Sequence, residues 1–175
     1  MIGLRQYAPS DRDTWSWQRA TLGDVTDIVA LAQQQFQTEI DQFLVPDPAL
    51  YARNLSIAVI KQTHNPLAEN LTVARDHETN QLLAYGWVDR GGYTEYSATE
   101  FGEAKFAHVD LALTDRQRVT LLAQLLHQWY LWCQICQIPV LVSTSIRSDQ
   151  SAFMRLHERA GFDVRGSIAY IRIES

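Results

Sequence analysis

Cysteine is nearly missing from this chain of 175 residues: Cys133 and Cys136 are the only two. They stand at C-x-x-C spacing, but a structural zinc needs further ligands nearby. A redox pair sits at a helix start, and these lie deep in an apolar, helix-patterned stretch. They read as reduced core cysteines, and no metal is expected. Long apolar runs are missing too. Nothing approaches the ~20 residues of a membrane span, and the opening stretch MIGLRQYAPSDRDTW has no signal-peptide core. No membrane partner is expected, and the default location is cytoplasmic. Runs of basic residues are also lacking; 15 Lys and Arg against 20 Asp and Glu leave a net charge of −5. That balance argues against nucleic acid and suits a cationic substrate better.

What is present is an ordinary globular composition, 46% hydrophobic, on a chain long enough for one domain with a substantial core. Residues 1–14 are polar and are expected to form a loose N-terminal arm; residues 15–175 are expected to form a single domain. The pattern centres on residues 104–138. In AKFAHVDLAL, Phe106, His108, Asp110 and Ala112 fall on one side and Ala107, Val109, Leu111 and Leu113 on the other, the period of a strand. TDRQR then breaks the apolar run and suits a helix start. From Val119 the period lengthens, and Leu122, Leu126, Trp129, Cys133 and Cys136 share one helical face, widened by Leu125 and Trp132. A strand that runs into a helix N-terminus gathers unpaired N–H groups and partial positive charge, a ready place for an anion.

Ahead of this stretch, residues 15–21 read as a short strand. Residues 22–40 read as a helix with Val25, Ile28, Val29, Ala32 and Phe36 in one stripe and Thr21 or Asp24 as cap. Asp47 and Pro48 start a second helix to about Gln62, followed by a loop. Residues 71–75 and 82–90 form a hairpin across DHETNQ. Residues 91–103 are the longest irregular segment and a candidate to line a site. Behind the central stretch, residues 139–146 read as a strand. A helix capped by Ser148, Asp149 or Ser151 then runs to Ala160 and ends on a left-handed Gly161, with Phe162 folding back. Residues 167–173 close the sheet. This order gives an α/β (α+β) fold, a mixed sheet with helices on both faces.

The element order and two local sequences resemble the GNAT superfamily of acetyl-CoA-dependent N-acetyltransferases, in register from Trp15 to the C-terminus. QSAFMRLHERAGFDVRG, residues 150–166, is similar to the family's late segment. Leu156-His157-Glu158 followed by Gly161-Phe162 is closest to the phosphinothricin-type branch, where His replaces the usual Tyr. Arg118-Val119-Thr120-Leu121-Leu122-Ala123 resembles the pyrophosphate loop Q/R-x-x-G-x-G/A: Arg118 and Ala123 fit, and Leu121 stands where Gly is normal. The resemblance implies a mostly antiparallel central sheet and an acetyl group moved from acetyl-CoA to a primary amine of a small molecule or peptide by direct attack. The pantetheine arm would pair with backbone around Leu111, Ala112 and Leu113. Residues 118–123, with Gln150 and Phe153, would complete the coenzyme A site. If Leu121 tucks into the core, the cradle survives with Arg118 supplying charge; if it points outward, coenzyme A binds weakly or not at all.

By the same resemblance His157 protonates the departing thiolate or orders a water there. His108 falls where the branch carries a glutamate proposed as base, with Asp110 to orient it or to act alone. An imidazole pKa near ~6.5 suits both proton tasks. The bland alternatives are a half-buried histidine at a helix rim and a polar strand residue bonded within the sheet. His64, His77 and His127 receive no role, and Glu95, Glu100 and Glu103 read as a solvated charged segment. Substrate choice is expected in residues 37–47 and 91–103. A homodimer is allowed. The alternative function is a GNAT-like binding or regulatory module without turnover, which Leu121 favours.

Overall fold

The computed structural model describes residues 7–10, 13–39, 45–144 and 151–164. Strand β1 is Trp15–Arg19, followed by a 3-10 turn at Leu22–Asp24, helix α1 at Val25–Glu39 and helix α2 at Pro48–His64. Next come β2 (Glu69–Asp76), β3 (Leu82–Thr94), β4 (Ser97–Val109), α3 (Asp115–Ile135), β5 (Val140–Ser143) and α4 (Ser151–Ala160). The five strands form one sheet in the order β1-β2-β3-β4-β5, antiparallel except that β5 runs parallel to β4. This is the mixed, mostly antiparallel sheet expected. The closing strand expected over residues 167–173 lies outside the described residues.

Alternation along the strands feeds two cores, one on each face. On the first, α1 and α2 bring Ile28, Phe36, Tyr51 and Leu55 onto Leu71, Val73 and Tyr85. On the second, α3 lays Leu125, Leu126 and Trp129 on Val88 and Ala104, while Leu121 packs with Trp15, Ala74 and Val109. The close approach of α3 depends on Gly86, where a Cβ would lie 2.4 Å from Leu125 Cδ1. Caps set the helix starts as the sequence implies. The Asp47 carboxylate accepts from the Leu50 N–H at 3.0 Å, and the Asp24 carboxylate accepts from the Thr21 N–H at 2.7 Å.

Four expectations change. Residues 91–103 are not irregular: β3 continues to Thr94 and β4 begins at Ser97, so most of the segment is a long hairpin. The alternation is hidden by register shifts on both sides of Gly92, by Gly91 at φ +93°, and by Gly92 making room for the Phe101 ring. Helix α2 passes Gln62 to His64. Strand β4 stops at Val109, so Leu111, Ala112 and Leu113 occupy a turn, tied by the Ala112 N–H to the Asp110 carboxylate at 2.9 Å. The arm is not loose where it is described. Tyr7 packs on the α3 core, and Asp13 accepts from the Gln124 side chain at 2.7 Å.

Candidate active site

Two structural features meet at the C-terminal end of β4. The first is a parting of strands. Among the described residues, strand β5 pairs with β4 from Phe101 to Ala104, against Val140 to Ser143. One residue later β4 bulges: Val88 pairs with Ala104 and Trp87 with Phe106, leaving Lys105 as the extra residue. A bulge bends and twists its strand, and this one lies where the described pairing of β4 with β5 ends. Beyond it, residues 105–109 have no strand on the β5 side among the described residues.

The second is the start of α3. Thr114 is the N-cap, and its capping box with Gln117 joins Thr114 Oγ1 to Gln117 Oε1 at 2.7 Å. The Thr114 hydroxyl also accepts from the Gln117 N–H at 3.4 Å, so the unpaired N–H groups of the first turn belong to Asp115 and Arg116. Arg118 already donates its N–H to the Thr114 carbonyl at 3.0 Å. Val119, Thr120, Leu121, Leu122 and Ala123 follow inside the helix, with backbone donors turned to the carbonyls of the preceding turn. The Arg118 guanidinium pairs with the Asp115 carboxylate. Leu121 faces inward and is fully buried, the orientation in which an anion site at the helix start survives. Leu122 is half-buried, Ala123 fully buried and Val119 exposed. Gln150 lies outside the described residues.

His108 is buried near the end of β4, on the α1–α2 face. Phe36 and Phe106 present ring edges to it, at centroid distances of 5.5 and 5.7 Å. Asp110 does not orient it. That carboxylate accepts from Gln81 Nε2 at 3.0 Å and from the Ala112 N–H, so it secures the turn after β4. His108 is held instead by Tyr85, whose hydroxyl lies 2.6 Å from Nδ1 and 2.8 Å from the Tyr51 hydroxyl. Burial pushes both phenol pKa values up.

His157, on α4, is also buried. Its Nδ1 lies 2.8 Å from the Phe153 carbonyl, which can only accept, so Nδ1 carries a proton. Its Nε2 lies 2.9 Å from the Ser143 hydroxyl at the end of β5. In the neutral ring Nε2 therefore accepts from Ser143. Phe153 lies against the ring at 3.8 Å, and Phe162 meets it edge-on at 4.9 Å. Burial lowers the His157 pKa, outweighing the opposite pull of the Phe153 carbonyl. The helix ends as expected, Gly161 at φ +91° and the Phe162 N–H on the His157 carbonyl at 2.9 Å.

Tyr51, Tyr85 and Ser143 are the site residues that sequence reasoning missed. Tyr85 and His108 are cross-strand partners on β3 and β4, a pairing that only the register reveals. No group of residues that could hold a metal occurs among the described residues, and no helix there is long and apolar enough to cross a membrane. Cys133 and Cys136 are free and buried, and burial pushes the Cys133 thiol up to about 11.

The chain has the fold of the GNAT N-acetyltransferases. It matches glucosamine-6-phosphate N-acetyltransferase from Arabidopsis thaliana with a TM-score of 0.65 at 11% identity, covering 93% of this chain and 100% of that one. It matches the aminoglycoside antibiotic 6'-N-acetyltransferase AAC(6')-Ih from Acinetobacter baumannii with a TM-score of 0.66 at 13% identity, covering 92% and 99%. It matches AAC(6')-Iy, in complex with the bisubstrate analogue CoA-S-monomethyl-acetylneamine, with a TM-score of 0.68 at 11% identity, covering 93% and 100%. No family model and no curated protein matches the sequence.

Proposed function

We propose that the protein is an acyl-CoA-dependent N-acyltransferase that moves an acetyl group from acetyl-CoA to a primary amine of a small molecule or peptide. The observation that carries this reading is the parting of β4 from β5 at the Lys105 bulge, beside the start of α3. An extended amide chain such as pantetheine suits the β4 edge at residues 105–109, ahead of the Leu111–Leu113 position suggested by sequence. The first-turn N–H groups of residues 115 and 116, with Arg116 and Arg118 close by, suit a pyrophosphate.

Direct attack requires an uncharged amine, and an alkylamine with a pKa near ~10.4 is mostly protonated at neutral pH. His108 stands on the amine side; acting as base it would need a lone pair at Nε2. On the sulfur side His157 acts through Ser143. As imidazolium its Nε2 proton passes to Ser143 Oγ while the Ser143 proton goes to the departing thiolate. The lowered pKa of His157 makes that charged form scarce at neutral pH.

One observation favours the second reading, a binding or regulatory module without turnover: the N–H groups of residues 119–123 are committed within α3. A panel of primary amines, with release of the coenzyme A thiol followed in the presence of acetyl-CoA, separates the two. Amine-dependent release supports the transferase. Acetyl-CoA binding with no release from any amine supports the module.

A further inference from the structure

Ser143 and His157 meet in the geometry of a nucleophile and its base. The Ser143 hydroxyl lies 2.9 Å from Nε2 of a histidine that is 5% exposed, and the Phe153 carbonyl lies 2.8 Å from Nδ1. A carbonyl can only accept, so the imidazole proton sits on Nδ1 and the Nε2 lone pair faces the Ser143 O–H. Phe153 lies against the ring and Phe162 meets its edge, which holds the ring in this orientation. Burial favours the neutral imidazole, the form able to take a proton. A hydroxyl, a base within reach and a third group that orients the base are the parts of an activated nucleophile. The relay to a departing thiolate needs the scarce imidazolium, whereas the resting pair is set for the opposite transfer.

The place of the pair in the fold brings it a substrate. Ser143 ends β5 and is half-buried. It stands opposite Ala104 on the last described rung of the β4–β5 pairing, and Ala104 is the residue before the Lys105 bulge. Ser143 therefore borders the parting of strands that suits the acyl donor.

We propose that Ser143 is a nucleophile activated by His157, able to take an acyl group onto its Oγ from an acyl thioester when no amine is present. Ser143 Oγ bonds to the acyl carbon while its proton passes to Nε2. The C–S bond breaks, and the thiolate takes that proton and leaves as the thiol. Water then cleaves the ester by the same roles. Nε2 draws a proton from the water as its oxygen adds to the acyl carbon, the proton returns to Ser143 Oγ, and the carboxylic acid leaves. The net reaction is hydrolysis of the thioester. The thioester as donor rests on the acyltransferase reading; the pairing of Ser143 with His157 does not.

The test mixes the full chain, without amine, with either of two acetyl donors: para-nitrophenyl acetate, which needs no coenzyme A site, or acetyl-CoA. Acid quenching and peptide mapping by mass spectrometry then locate the acetyl group. The expected result is an acetyl ester on Ser143 with both donors, absent in Ser143→Ala and formed ~10²–10⁴-fold more slowly in His157→Phe. No ester at Ser143 in the wild type with either donor overturns the proposal, and this holds even if a variant fails to fold. An ester formed equally fast in His157→Phe overturns it as well. Label from the nitrophenyl ester but none from acetyl-CoA supports the Ser143–His157 pair and counts against the acyltransferase reading. Amine acetylation by a chain whose Ser143 is never labelled overturns the proposal and leaves that reading intact.

Discussion

Gly86 sets how closely α3 lies on the sheet, because Leu125 occupies the space that a side chain there would need. Gly86→Ala should lower stability by about 1–3 kcal/mol through overpacking, read from urea unfolding, and Leu125→Ala in the same chain should recover part of the loss. An unchanged midpoint would contradict the packing described. Asp24 and Arg75 form a second point of dependence, with side chains 7% and 12% exposed and an N···O distance of 2.6 Å. Burial alone would raise the Asp24 pKa, but hydrogen bonds from Thr21 and Arg75 together bring it below its ordinary value. A carboxylate whose folded pKa is depressed adds stability that is present above its unfolded value and lost as pH falls through the folded one. That window lies below about pH 4. Asp24→Asn should cost about 1–3 kcal/mol at neutral pH, since it removes the buried partner of Arg75 and leaves it only the exposed Asp27 carboxylate at 2.7 Å, and should flatten that part of the acid transition.

Between elements, Gln124 joins α3 to β1 and to the segment before it. Its Oε1 accepts from the Trp15 and Trp17 indoles at 2.9 Å each, and its Nε2 donates to Asp13 at 2.7 Å. Gln124→Leu would leave indole N–H groups unpaired and should cost about 2 kcal/mol; Trp fluorescence during unfolding reads it. The pairing of α4 with β5 through His157 and Ser143 has a consequence of its own pH sign. The folded His157 pKa lies below 6.5, so the unfolded chain takes up the proton first. Stability from this group is present above about pH 6.5 and falls as pH drops below it. His157→Phe should flatten that slope. If the proton route to sulfur runs through both groups, Ser143→Ala and His157→Phe should lower kcat to similar extents, and the double variant should be no slower than either. A Ser143→Ala enzyme with full kcat would remove Ser143 from the route.

Across the whole molecule, the order of elements and both helix caps are legible in the sequence, because they rest on local periodicity and capping chemistry. The Gly91–Glu103 region is not, since bulges and Gly92 under the Phe101 ring break the period-two signal that would have marked a hairpin. The elements that carry His108 and His157 are legible in the sequence, but the hydrogen-bond partners of the two side chains are not. Tyr85 is set by strand register, Tyr51 by how α2 packs, and Ser143 by the meeting of α4 with β5. Asp110, adjacent in pattern to His108, turns out to hold the next turn. The account's central claim is that the parted β4 edge and the α3 start form a seat for acetyl-CoA, and calorimetric titration of the full chain with acetyl-CoA tests it most directly. The account predicts saturable binding of one acetyl-CoA per chain, and thermal stabilisation near 2.7 kcal/mol at 100 times the dissociation constant. No heat of binding and no thermal shift at millimolar acetyl-CoA would contradict it.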